Sequence, residues 1–193
     1  MAVGILLAAG FSRRFGIEDK LMQPLPDGRA LALASAQNLL AALPRTVAVI
    51  RPQAKALGAL LAAAGADVVV CDVRETEMAD SLGIGVRHAA RYAEALEGCV
   101  IALADMPFIR PQTIVAVADA LADGARIAAP CHGQQRGHPV GFAAGLREEL
   151  ENVRGDEGAR SVLQRHRQAV RLLPVDDPGI LTDIDTPGDL SRV

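Results

Sequence analysis

The residues best suited to chemistry cluster near the start of the chain, in "LLAAGFSRRFGIEDKL", residues 6–21. An apolar run ending at Leu7 leads straight into Ala8, Ala9 and Gly10, whose small side chains let backbone amides approach an anion closely. Ser12, Arg13, Arg14, Gly16 and Lys20 follow on the same stretch. Arginine offers forked donors that match phosphate oxygens, and lysine offers a compact point charge. The chemistry this combination suits is polyphosphate binding. The stretch lacks both the GxxxxGK[ST] and the GxGxxG patterns, so the P-loop and dinucleotide fingerprints are missing.

Acidic residues suited to partner such an anion lie further on. In "CVIALADMPFI" an apolar strand-like run ends at Asp105, and Pro107 stops further ladder pairing. A carboxylate at the carboxyl edge of a sheet, beside a polyphosphate, suits Mg²⁺, which takes one or two carboxylates and fills its other positions with phosphate and water. "TDIDTPGDL" offers Asp183, Asp185 and Asp189. Asp185 stands before Thr186 and Pro187, a placement that also suits the cap of a last short helix. "PCHGQQRGHPVGF" presents Arg136 and His138 beside Gly137 and Pro139, as in a tight turn. Cys131, His132 and His138 lack the short paired spacing of a zinc site. In "GDEGAR", Gly155, Gly158 and Arg160 could hold a second anion at a helix start, or Asp156 could simply cap that helix.

The elements that must position these groups follow from the hydrophobic pattern. Strand-length apolar runs alternate with longer Ala/Leu segments: 3–7 then 30–43, 46–50 then 54–64, 67–71 then 80–96, 100–103 then 111–122, and 126–129. Strands apolar on both faces, separated by helices, predict a mostly parallel sheet covered on both sides, a three-layer α/β/α sandwich. After residue 130 the rhythm changes to a Gly/Pro-rich hairpin expected to add an antiparallel strand, then a late strand at 170–175 and a short helix begun near Pro187.

Composition bounds the function. A chain of 193 residues suits one domain. A net charge of −3, no Trp and one Tyr argue against nucleic acid as a partner. Cys71, Cys99 and Cys131 are odd in number and widely spaced, which reads as buried thiols in a reducing compartment. The apolar start is too short to span a bilayer and lacks a basic flank before it, so a cytoplasmic, unprocessed protein with no membrane partner is expected.

The opening stretch resembles the LAAGxSxRxG-plus-lysine signature of the MobA-like nucleotidyltransferases, specifically the molybdenum cofactor cytidylyltransferases. "SLGIGV", "LADMPFI", "RGHPVGF", "GDEGAR" and "DIDTPGDL" extend the resemblance along nearly the whole chain. It implies a Rossmann-like fold of the nucleotide-diphospho-sugar transferase type. By position it assigns Leu7, Ala8, Ala9, Gly10, Ser12, Arg14, Gly16, Lys20 and Ser81 to the nucleotide, and Asp105 and Asp185 to Mg²⁺. Arg136, Gly137, His138, Pro139, Gly155, Asp156, Gly158 and Arg160 fall to the acceptor, with Arg14, Lys20 and Asp105 catalytic. About 1–110 would serve the nucleotide and about 111–193 the acceptor. The implied reaction takes CTP and molybdopterin as substrates and leaves room for a transient molybdoenzyme partner. Guanylyl-transferring relatives tend to carry a second glycine where this chain has Ala9. A departure lies in "EMADSLGIGV": relatives more often have serines at Ala79 and Asp80 and a basic residue at Gly83, for which Arg87 and His88 are candidate replacements.

Overall fold

The computed structural model describes residues 1–10, 19–72, 78–155 and 158–190. Its eight strands form one mixed sheet. The strands are β1 (Val3–Ala8), β2 (Thr46–Ile50), β3 (Asp67–Val70), β4 (Gly98–Leu103), β5 (Ile127–His132), β6 (Gln135–Arg136), β7 (Val140–Ala143) and β8 (Val170–Pro174). The helices are α1 (Leu31–Ala42), α2 (Lys55–Ala63), α3 (Met78–Ala89), α4 (Pro111–Ala122), α5 (Arg147–Glu151), α6 (Arg160–Arg165) and α7 (Pro187–Leu190).

Strand order runs β3-β2-β1-β4-β7-β5, with β6 and β8 both pairing with β5. β1 pairs in parallel with β2 and β4, and β2 with β3, as the doubly apolar strands predict. The expected antiparallel strand is β7, and its place is internal: it joins β4 to β5, running against both. β8 then closes on β5 in parallel.

The alternation of each central strand supplies two cores. Leu6, Ala8, Ala48 and Ile50 pack with α1, α2 and α4, whereas Val3, Ile5, Val47 and Val49 pack with α3, α5 and α6 on the other face. The result is the three-layer Rossmann-like sandwich. The long helix expected over 80–96 is shorter: α3 ends at Ala89, and a separate 3-10 turn covers Ala93–Leu96. β5 extends past the expected 126–129 because β6 and β8 supply partners as far as His132 and Cys131. Cys71, Cys99 and Cys131 are free and buried, and burial pushes the Cys99 thiol up to about 12. Among the described residues no helix is long and apolar enough to cross a membrane.

Candidate active site

The carboxyl ends of β1 and β4 meet at the centre of the sheet, where Ala104 N–H donates to Leu7 O. Asp105 follows directly, and its side chain turns toward Lys20: Nζ donates to Asp105 Oδ2 at 2.8 Å. The same ammonium donates to Asp185 Oδ1 at 3.0 Å, across 165 positions of sequence. Lys20 sits in a short 3-10 turn, Lys20–Met22, whose start is capped by Asp19 accepting from Leu21 N–H. Leu21 anchors this turn in the core. Ile184 N–H donates to Asp105 O, stitching the late loop to the end of β4. The bonds that close that loop run to Asp189, whose Oδ2 accepts from Asp185 N–H, Thr186 N–H and Thr186 Oγ1. The carboxylate of Asp185 is thus directed at Lys20, and Asp189 ties down the turn that leads into α7.

Lys20 is buried, and its side chain is 10% exposed against 25% for Asp105 and 42% for Asp185. Burial alone pushes its ammonium toward neutrality; the hydrogen bonds and charges of Asp105 and then Asp185 outweigh that and hold its pKa above the ordinary lysine value. Three groups from three distant segments therefore form one charged constellation at the ligand-binding edge of the sheet.

The hairpin delivers the second part of the site. Because β7 runs against β4, with Val140 opposite Ile101, the residues before β7 arrive at the same carboxyl edge as Asp105. Gly137 is fixed there: its N–H donates to Pro130 O, and a Cβ on it would stand 2.3 Å from Ile180 O. His138 N–H donates to the same Ile180 O, and a cis peptide joins it to Pro139. The His138 ring is half-buried, and its Nδ1 is a buried atom with no hydrogen-bond partner among the described residues. Burial, then the charge of Arg136, lowers its pKa below the ordinary imidazole value, opposed by Asp105 and Asp183. The lowered value favours the uncharged imidazole. Arg136 itself is exposed.

A positioning residue that escaped the sequence reading is Asp177, only 2% exposed. It accepts from Arg110 N–H, Thr113 Oγ1 and Gly179 N–H, and so pins the turn Pro178–Leu181 that holds Ile180 against His138. The signal was present as an acid before a Pro-Gly pair, a turn-forming arrangement.

Other expected site residues are placed less directly. Ala8 and Ala9 are buried, one in each of the two cores, while Gly10 is exposed past the strand's end and Leu7 is half-buried within it. Ser81 is buried on α3, with Oγ 3.9 Å from Cys71 Sγ. Gly155 reaches α3 through its carbonyl, which accepts from Ala79 N–H; Gly158 is buried and Arg160 is exposed at the start of α6. Ser12, Arg14, Gly16 and Asp156 lie outside the described residues. His132 Nδ1 lies 3.1 Å from Val175 O.

The structure corrects one expectation. Neither Arg87 nor His88 supplies the cation displaced from position 83. His88 pairs with Asp67 at 2.6 Å, at the start of β3 and so at the opposite end of the sheet, and Arg87 Nη1 donates to Glu151 O on α5. Packing favours a glycine at 83, since a Cβ there would lie 2.9 Å from Glu151 O.

Residues 4–170 match the MobA-like NTP transferase domain. The chain belongs to that family. It is 30% identical to the nicotine blue oxidoreductase of Paenarthrobacter nicotinovorans, over 98% of this chain and 95% of that protein. Among solved structures it is similar to Rv0371c of Mycobacterium tuberculosis, at 29% identity and TM-score 0.83, covering 100% of this chain and 97% of the other. The manganese complex of Rv0371c matches at 28% identity and TM-score 0.79, over 99% and 96% of the two chains.

The residues present fit a divalent ion. Asp105 and Asp185 are hard oxygen donors that already converge on one cation, the Lys20 ammonium. Among the described residues no group of three or more His, Cys, Asp or Glu could hold a metal ion. Two carboxylates alone suit an ion that completes its shell with phosphate oxygens and water.

Proposed function

We propose that this protein transfers CMP from CTP to the terminal phosphate of molybdopterin and releases pyrophosphate. The observation that carries the nucleotidyl-transfer reading is the convergence of Lys20, Asp105 and Asp185 beyond β1 and β4, in a chain of the MobA-like NTP transferase family. The choice of CTP and molybdopterin rests on the sequence resemblance, with Ala9 as its cue against guanylyl transfer. The proposal divides the labour at about residue 110, with nucleotide contacts before it and acceptor contacts after it.

In this reading an acceptor phosphate oxygen attacks the α-phosphorus of CTP. A phosphorus–oxygen bond forms there, and the bond to the β-phosphate breaks. Two anions must meet, and each pair of unit charges about 4 Å apart repels by roughly 4 kcal/mol at an effective dielectric near 20. Asp105 and Asp185 would hold Mg²⁺, or a similar divalent ion, whose positive charge offsets that repulsion. Lys20 and Arg14 neutralise the triphosphate and the departing pyrophosphate. Gly10 offers its backbone amide at the strand end. Arg136 and the hairpin around Gly137 and Pro139 orient the acceptor, together with the segment of Gly155, Asp156, Gly158 and Arg160. The unpartnered His138 Nδ1 would serve the acceptor as a hydrogen-bonding group. The phosphate nucleophile is already ionised near neutral pH, so no side chain has to take a proton from it.

The test is pyrophosphate release by purified protein with Mg²⁺ and molybdopterin, in parallel with CTP, GTP and ATP. CTP-dependent release supports the full reading; preference for GTP keeps the reaction and changes the base. A second reading, redox chemistry, is favoured by the named activity of the Paenarthrobacter relative. Its arm of the test is oxidation of a reduced nicotinamide dinucleotide by nicotine blue. Turnover there with no pyrophosphate release in any nucleotide arm would replace nucleotidyl transfer.

A further inference from the structure

Lys20 stands where a metal would have to act. Its Nζ is bonded to one oxygen of Asp105 and one of Asp185, and it is the most buried member of the trio. The main chain at both acids is fixed independently of the lysine, at Asp105 through Ile184 N–H on its carbonyl and at Asp185 through its N–H on Asp189, while the carboxylates themselves bond to Lys20. The Lys20 turn is likewise anchored, by the Asp19 cap and by Leu21 in the core. The mobile part of the arrangement is therefore the four-carbon lysine stem, which can move its charge while the backbone stays fixed.

We propose that Lys20 is a placeholder cation for the divalent-metal position, so that ammonium and metal compete for the same two carboxylates. The inference deepens the nucleotidyl-transfer reading and rests on it. A positive charge between Asp105 and Asp185 keeps two like-charged acids close together, and that spacing is what a divalent ion requires. A divalent ion arriving by itself must displace the ammonium and leave it buried without a partner. Arriving with a triphosphate it meets no such obstacle, because phosphate oxygens receive the displaced ammonium. Lys20 thus acts as a positioning residue that ties metal entry to nucleotide entry, and its second partner is the triphosphate.

The test needs neither acceptor nor turnover. Mn²⁺ alone is titrated into wild-type protein and into Lys20→Met and Lys20→Arg, with free Mn²⁺ followed by electron paramagnetic resonance. Removing the charge should tighten Mn²⁺ binding by about tenfold or more, on the scale of effects that groups around a metal have on its affinity. Lys20→Arg, which keeps a cation, should stay close to wild type. Equal or weaker binding by Lys20→Met overturns the proposal. If melting shows that Lys20→Met does not fold, the competition is read in the wild-type protein from the ¹⁵Nζ resonance of Lys20. That resonance should move when Mg²⁺ and inorganic tripolyphosphate are added together; a resonance unchanged while metal binds overturns the proposal. Failure here with CTP-dependent pyrophosphate release intact would leave nucleotidyl transfer standing. Success here without pyrophosphate release would retain the metal site and reject that reaction.

Discussion

Two charged clusters occupy opposite ends of the sheet, and they differ in what surrounds them. At the amino end Asp67 accepts from Tyr92 Oη and pairs with His88, with Arg91 3.6 Å away. All of these come from β3, α3 and the residues just after it, a local set that fastens a helix end to an edge strand. At the carboxyl end Lys20, Asp105 and Asp185 come from three distant segments, and the lysine is the buried member. A cluster that ties neighbours together serves stability. A cluster assembled from distant loops at the carboxyl edge, with two acids facing one ammonium, is the arrangement the proposed binding role requires.

The largest effect expected from breaking that contrast is at Asp105. Asp105→Ala should lower pyrophosphate release by about a thousandfold or more while the protein still folds; release near wild type would remove the acid from the reaction. Lys20→Met should lower turnover by about a hundredfold. It also carries a pH signature. Because the folded pKa of Lys20 is raised, the stability from its charge is fully present below the ordinary lysine value of 10.5 and is lost as pH rises through the raised value. Urea melts of wild type and variant should therefore converge only in strongly alkaline solution.

Asp67→Asn tests the other end. Burial pushes the Asp67 carboxyl up, but hydrogen bonds from Tyr92 and His88 outweigh that and hold it below 3.8. Its stabilising contribution is present above 3.8 and is lost as pH falls through the depressed value. With a third of the side chain in solvent, the loss at neutral pH should be about 1 kcal/mol, with nucleotidyl transfer unchanged. Melts at pH 7 and at pH 3 would show the difference narrowing. The smallest effect is at Gly83→Ala, where better helix propensity largely offsets the clash with Glu151 O, leaving a net loss of roughly 0.5 kcal/mol. A stabilised Gly83→Ala protein would show that α5 yields easily and that packing does not fix this glycine.

The sheet was legible because its signals are local. Val3 to Leu7 and Val100 to Leu103 are apolar on both faces, and such strands have little choice but a central parallel position. Asp105 was legible for the same reason, being the first acid after such a strand. The internal placement of β7 was not legible, because "VGFA" is equally compatible with an edge or a central strand and only its partners decide. The direction of Asp185 was also hidden: sequence shows an acid before Thr-Pro, whereas its carboxylate reaches Lys20, 165 positions away. Arg87 and His88 misled because one helical turn in sequence says nothing about which end of the sheet that turn lies over.

The internal β7 has a consequence for synthesis on the ribosome. β1 to β4 can pair as soon as they emerge, but the free edge of β4 belongs to a strand that ends at Ala143, some forty positions after Leu103. Throughout that interval the middle of the eventual sheet presents an unpaired apolar edge, the kind of template that recruits other chains. β5 cannot cover it, since it reaches β4 only through β7. The nascent chain is thus most prone to aggregation between the appearance of Leu103 and that of Ala143, and a pause in translation within that window should cost more soluble protein than one after it.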